Sequence, residues 1–287
     1  MSFPGLQQYL SHLYSTPQAG TRVWLNADGY AQGRFFNSTL TSAFQPIRDL
    51  ESGNIIGHEG FARSHSGSDQ GLYLWKLLDH AANDDESVEL DRLCRILHSV
   101  NFFRQPEAVE GDLYLSVHAR LLAAVEGNHG TAFSRILNML DLPQDRIVLQ
   151  LPVVVEHQGW LVNYVTDNYR RNGFRIALNA ISAEEALTLV ERVRPEVVKV
   201  DTRHGVQEEP VLRLLEKCAA RNVGVIFKRV ENTGTLNTLN RIAAVSGHTI
   251  HAQGFLWGLP PASLGGGKMR AHLLAGNESV QNHAGAA

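Results

Sequence analysis

Cysteine is nearly absent, with Cys94 and Cys218 the only two in 287 residues. That argues against a disulfide-stapled secreted fold. Both thiols fall in amphipathic stretches, Leu-Asp-Arg-Leu-Cys-Arg-Ile-Leu and Leu-Leu-Glu-Lys-Cys-Ala-Ala, and are expected to be buried core thiols in a reducing compartment. Charge of one sign is missing too: 26 Lys and Arg face 29 Asp and Glu, a formal net charge of −3. This gives no general attraction to nucleic acid or acidic lipid and leaves only a local basic pocket open. No apolar run approaches the ~20 residues that span a bilayer. Met1–Gln7 lacks a basic region followed by an apolar one, so no secretory signal is visible. The expectation is a cytoplasmic protein with neither nucleic-acid nor membrane partners.

What is present is globular in composition, 44% hydrophobic and 19% charged. From about residue 112 apolar runs of strand type alternate with stretches of helical period. The runs are Asp112–Val117, Arg146–Leu151, Phe174–Leu178, Val197–Val200, Val223–Phe227 and Ile250–Ala252. Between them lie Thr131–Leu140, Gly159–Arg171, Ala183–Val193, Val211–Arg221 and Leu236–Val245. Continuous Val/Ile/Leu runs suit parallel strands covered on both faces by helices. So many units in series predict an α/β barrel, for which about 250 residues suffice.

The start differs. Ala43–Leu50 and Asn54–Ala62 read as strands around the tight turn Glu51-Ser-Gly53, so one strand runs against its neighbours. Helices are predicted at Gln70–Ala82 and Ser87–Phe103. Residues 1–38 read as an extension, with a short helix at Leu6–Tyr14 and a hairpin of Arg22–Leu25 and Tyr30–Phe36 around Asn26-Ala-Asp-Gly29. The barrel is assigned to 39–264 and a partly flexible tail to 265–287. Neither Gly-rich stretch of that tail follows a strand and opens a helix as a phosphate loop does.

The stretch Phe44–Arg63, Phe-Gln-Pro-Ile-Arg-Asp-Leu-Glu-Ser-Gly-Asn-Ile-Ile-Gly-His-Glu-Gly-Phe-Ala-Arg, resembles the opening of an EAL domain, the bacterial fold that binds cyclic-di-GMP and often hydrolyses it. Within it Glu59-Gly-Phe61-Ala-Arg63 is similar to the name-giving Glu-Ala-Leu-x-Arg, with Glu59 as the metal-binding acid and Arg63 as the phosphate-contacting arginine. Pro195-Glu-Val-Val-Lys199-Val-Asp201 resembles the Lys-Ile-Asp strand. Ala252-Gln253-Gly254-Phe255-Leu-Trp-Gly-Leu-Pro260 resembles the closing Gln-Gly-Tyr-x-Phe-x-x-Pro. The resemblance runs from Phe44 to Pro260 and implies a TIM-like (β/α)8 barrel with an antiparallel first strand.

Elsewhere the sequence departs from the pattern. His118 stands for a metal-binding asparagine, and Gln150 and Val153 for the acids of Leu-Glu-Leu-Thr-Glu. Asn179 and Ala180 replace the paired aspartates of Leu-Asp-Asp-Phe-Gly-Thr-Gly, and Ser182-Ala-Glu-Glu185 reads instead as a capping box. Phe227-Lys228-Arg229-Val230-Glu231 stands where the family reads Ala-Glu-Gly-Val-Glu. The exchanges at Gln150, Asn179, Ala180 and Lys228 together move one cleft by about +5 in charge. Two divalent ions are not compatible with that, so neither a catalytic residue nor a metal ligand is assigned, and no cofactor.

The resemblance implies a metal-independent cyclic-di-GMP receptor, with Arg63, Lys199 and Lys228 meeting phosphate, Gln45, Asp91 and Gln253 reading guanine edges, Phe61 and Pro260 against a base, and Glu59 and Asp201 retained in the cleft. Two alternatives stand beside it: a nucleotide-free adaptor that grips a transcription regulator or other signalling partner, and a residual phosphodiesterase. A plainer account of Lys228 has it pairing with Glu59 or Asp201 and closing the old cavity.

Overall fold

A computed structural model describes residues 3–13, 22–36, 38–66, 69–73, 84–119, 130–153 and 159–265. Helix α1 (Pro4–Ser11), with proline in its first turn, leads to the hairpin β1 (Val23–Leu25) and β2 (Ala31–Phe35). Strand β2 pairs antiparallel with β3 (Ser38–Asp49), so the hairpin continues the main sheet. Strand β3 turns into β4 (Ile55–Ser66) through Gly53, whose φ of +68° suits glycine.

The predicted alternation then appears in order: α2 (Asp84–Phe103), β6 (Asp112–Ser116), α3 (Thr131–Met139), β7 (Ile147–Leu151), α4 (Gly159–Arg171), β8 (Arg175–Ala180), α5 (Ala183–Arg192), β9 (Val197–Asp201), α6 (Glu208–Ala219), β10 (Gly224–Lys228), α7 (Thr233–Ser246) and β11 (His251–Gln253). Strands β3, β4 and β6 to β11 close an eight-stranded barrel, joined where β11 pairs with β3. Only β3 runs antiparallel to both barrel neighbours.

One expectation is corrected. Gln70–Tyr73 belongs to strand β5 (Asp69–Tyr73), not to a helix. Strand β4 runs on past the barrel to Ser66, and its free backbone groups there take a partner strand. The remainder of that predicted helix, and the tail beyond Gly265, lie outside the described residues.

Strand and helix faces explain the core. Strands β7 and β9 are buried at every residue, as strands covered on both faces should be. Outside the barrel, Leu113, Leu149 and Ile176 of the strands share one buried cluster with Leu97 of α2, and Val198 and Phe227 share another with Leu214 of α6 and Ile242 of α7. Cys94 and Cys218 are both buried free thiols within these layers. Inside the barrel a separate floor forms from Ile47, Tyr114, Val148, Ala177, Val197 and Ile226. Among the described residues no helix is long and apolar enough to cross a membrane.

Candidate ligand-binding site

Strand periodicity builds the site on that floor. Two residues further along each strand, the same inward face carries Gln45, Glu59, Ser116, Gln150, Asn179, Lys199, Lys228 and Gln253. An apolar layer is thus followed by a polar one, at the end of the barrel where the parallel strands finish.

The centre of the polar layer is a buried ion pair. Lys199, fully buried, places Nζ 2.6 Å from Glu59 Oε2. Gln253 Nε2 donates to the same oxygen at 2.6 Å and to Gln45 Oε1 at 2.9 Å. Lys199 also donates to Gln150 Oε1, and Gln150 Nε2 lies 3.3 Å from Ser116 Oγ. The ammonium stands 5.3 Å from the centroid of the Tyr114 ring in the floor below. Burial pushes the Glu59 carboxyl up, but Lys199 and the hydrogen bonds from Lys199, Gln253 and Gln150 together hold it below its ordinary value. Burial lowers Lys199, with Glu59 pulling the other way.

Lys228 lies on the adjacent strand, in register with Asp201 and Gln253. Its Nζ donates to Asn179 Oδ1 at 2.6 Å, and Asn179 Nδ2 is itself fixed to the Leu151 carbonyl at 2.7 Å. No carboxylate among the described residues forms an ion pair with Lys228. Burial, then the nearby Lys199 charge, lowers its pKa from 10.5 to about 8. The plain pairing of Lys228 with Glu59 or Asp201 is therefore not what forms: Lys199 takes Glu59, while Arg203 and Arg229 take Asp201. Geometry explains this, since Lys199 projects from the barrel interior level with Glu59.

The remaining candidates spread outward. Phe61 and Arg63 follow Glu59 on the same face of β4 and are half-buried. Arg63 Nη2 donates to the carbonyl of Pro260, tying the closing segment to β4. Asp91 lies apart on α2, buried, 2.6 Å from Arg95 Nη2, and accepts from the His118 backbone N–H at 3.3 Å. Thus Gln45, Glu59, Lys199 and Gln253 form one network, with Lys228 and Asp201 beside it.

Gln150 and Asn179 hold the two lysines although sequence reading marked them only as lost acids; their inward position on β7 and β8 was the available signal. The predicted cap forms, Ser182 Oγ accepting from Glu185 N at 3.2 Å, while the Glu185 carboxylate reaches back to the Ile181 N–H at 2.6 Å, and α5 begins directly after Ser182.

The donors present do not fit the metal that the EAL resemblance implies. Divalent oxygen sites gather about six ligands. Here one carboxylate is already held by an ammonium and an amide, beside a second ammonium. Among the described residues no three His, Cys, Asp or Glu side chains converge.

The family profile of the EAL domain matches residues 31–260. No curated protein sequence matches. Among solved structures, the chain is similar to the EAL-domain protein YkuI of Bacillus subtilis in complex with substrate c-di-GMP and calcium, with a TM-score of 0.63 at 18% identity over 84% of this chain and 61% of that one. BlrP1 of Klebsiella pneumoniae, in a manganese and cyclic-di-GMP complex, gives 0.62 at 19% identity over 77% of this chain and 56% of that one. A standalone EAL protein of Vibrio cholerae O395, bound to c-di-GMP, gives 0.62 at 18% over 80% of this chain and 95% of that one. This chain thus spans less than two thirds of the first two proteins and nearly all of the third. At such identities the likeness speaks for the fold, and the profile match over most of the chain speaks for the family: this chain belongs to the EAL domain family.

Proposed function

We propose that this protein is a catalytically inactive, metal-independent receptor for cyclic-di-GMP. The observation that carries the reading is Lys228, an ammonium set in a half-buried layer without a carboxylate partner among the described residues. Such a charge is unfavourable until an anion joins it. A cyclic dinucleotide supplies two phosphates, and the relatives crystallised with this ligand share the barrel. Phe61, Arg63, Lys228 and Pro260 are half-buried and take the first contacts. Gln45, Gln253, Asp91, Lys199 and Glu59 already hold one another or neighbouring groups, and serve the ligand by exchanging those bonds, while Asp201 stays paired with its arginines at the edge of the cleft.

Inactivity follows from the same chemistry. Glu59 is neutralised by Lys199, and a cation arriving there meets two ammoniums before it meets a free carboxylate. The second reading, a nucleotide-free adaptor for a signalling partner, is favoured by the internal saturation of the Glu59–Lys199–Gln253 network.

Calorimetry with cyclic-di-GMP, with and without chelator, tests both. Binding that persists in chelator supports the receptor. No heat at high micromolar ligand leaves the adaptor. Metal-dependent turnover to the linear dinucleotide would establish a phosphodiesterase and end the receptor reading.

A further inference from the structure

The end of β9 and the turn after β10 carry two arginines, Arg203 and Arg229, beside Asp201. Asp201, only 5% exposed, closes β9. Arg203 forks it: the backbone N–H donates to Oδ1 at 3.0 Å, Nε lies 3.1 and 3.2 Å from the two oxygens, and Nη2 is 3.1 Å from Oδ2. Arg229 brings a second guanidinium, with Nε 3.5 Å from Oδ2. Both arginine side chains remain about half exposed, at 53% and 46%. Arg203 alone neutralises Asp201, so the second guanidinium leaves a positive charge over.

Arg229 also sits in a backbone conformation that costs energy. Its φ is +65°, left-handed for a residue with a Cβ, at the place where the family pattern reads glycine. The surroundings hold it there. Thr202 Oγ1 donates to the carbonyls of Lys228 and Arg229 at 3.1 and 2.9 Å. The Val230 N–H donates to the Gln253 carbonyl at 3.0 Å. Gly254 approaches so closely that a Cβ there would lie 2.0 Å from the Val230 oxygen. Over-determined outliers of this kind concentrate at ligand clamps. Glycine would serve the backbone with less strain; what arginine adds is a charged fork.

We propose that Arg203 and Arg229, braced by Asp201, form a phosphate clamp on the rim of the barrel mouth that takes the phosphodiester of a nucleotide. A planar guanidinium matches phosphate oxygens two at a time, and two of them converging on one carboxylate hold a fixed spacing. The clamp rests on the receptor reading for the identity of the nucleotide, but its chemistry requires only a phosphate group.

The test uses the full chain. In chelator, calorimetry with cyclic-di-GMP should show Arg203→Ala and Arg229→Gly each weakening affinity about tenfold or more. Arg229→Gly should keep a Tm equal to or above wild type, because it relieves the left-handed strain; a structural role for the arginine would lower Tm instead. Wild-type affinity retained in both variants overturns the clamp and leaves the receptor reading intact. If wild type does not bind cyclic-di-GMP, inorganic pyrophosphate is the probe: a rise in Tm that both variants lose supports the clamp while the receptor reading falls. Absence of that rise in wild type overturns the clamp.

Discussion

Replacing Lys228 with methionine should stabilise the free protein and weaken its ligand binding at once. The lysine is half-buried, and its pKa falls from 10.5 to about 8 through burial first and Lys199 second. At about 1.4 kcal/mol per pH unit this places roughly 3 kcal/mol against the charged form at neutral pH. Methionine removes that penalty and fills similar volume. It also removes the 2.6 Å hydrogen bond to Asn179 Oδ1, at a cost of about 1 kcal/mol. The net gain at pH 7 is about 1–2 kcal/mol, or a Tm rise of about 2–6 °C. The gain is bounded in pH and turns into a small loss once the lysine is neutral, when only the missing hydrogen bond remains. Because the folded pKa lies below the unfolded one, the unfolded chain binds more protons between about pH 8 and 10.5, so wild-type stability rises across that window and the variant's advantage shrinks. Urea unfolding of both proteins at pH 7.0 and 9.5 reads this directly. Calorimetry should show the opposite ranking for cyclic-di-GMP, and wild-type affinity should fall by up to about tenfold per pH unit above pH 8 as the ammonium is lost. A variant that is less stable at pH 7, with unchanged affinity, would refute the reasoning.

Lys199→Met should destabilise by about 3–5 kcal/mol in chemical denaturation, since Glu59 is left buried with its charge unpaired; a loss below about 1 kcal/mol would mean the carboxyl simply takes a proton. His58 has a pKa pushed down to about 4 by burial first and Arg48 second. The unfolded chain therefore binds more protons between about pH 6.5 and 4, and this histidine should remove up to about 3 kcal/mol of stability as pH falls through that window. His58→Leu should flatten the acid limb of a Tm-against-pH curve; an unaltered limb would exclude His58 as its source.

The fold was largely legible because its signals are local and repeated. Alternating Val/Ile/Leu runs and helical stretches gave the order of elements from Asp112 onward, and the turn at Gly53 gave the antiparallel β3. The miss at Gln70–Tyr73 arose because β5 depends on a partner, the overhanging end of β4, that no local period contains. In the site, the residue types at Gln150, Asn179 and Lys228 were visible position by position. Which charges would pair was not.

By itself, then, the sequence determined an α/β barrel of EAL type and the placing of Gln150, Asn179 and Lys228 on its inward strand faces, since both follow from residue type, spacing and order. Only the tertiary structure decided that Lys199 rather than Lys228 takes Glu59, that Asp91 pairs with Arg95, and that Arg203 and Arg229 converge on Asp201. Ion pairing depends on distances between strands set by barrel closure, and those distances belong to no single stretch of chain.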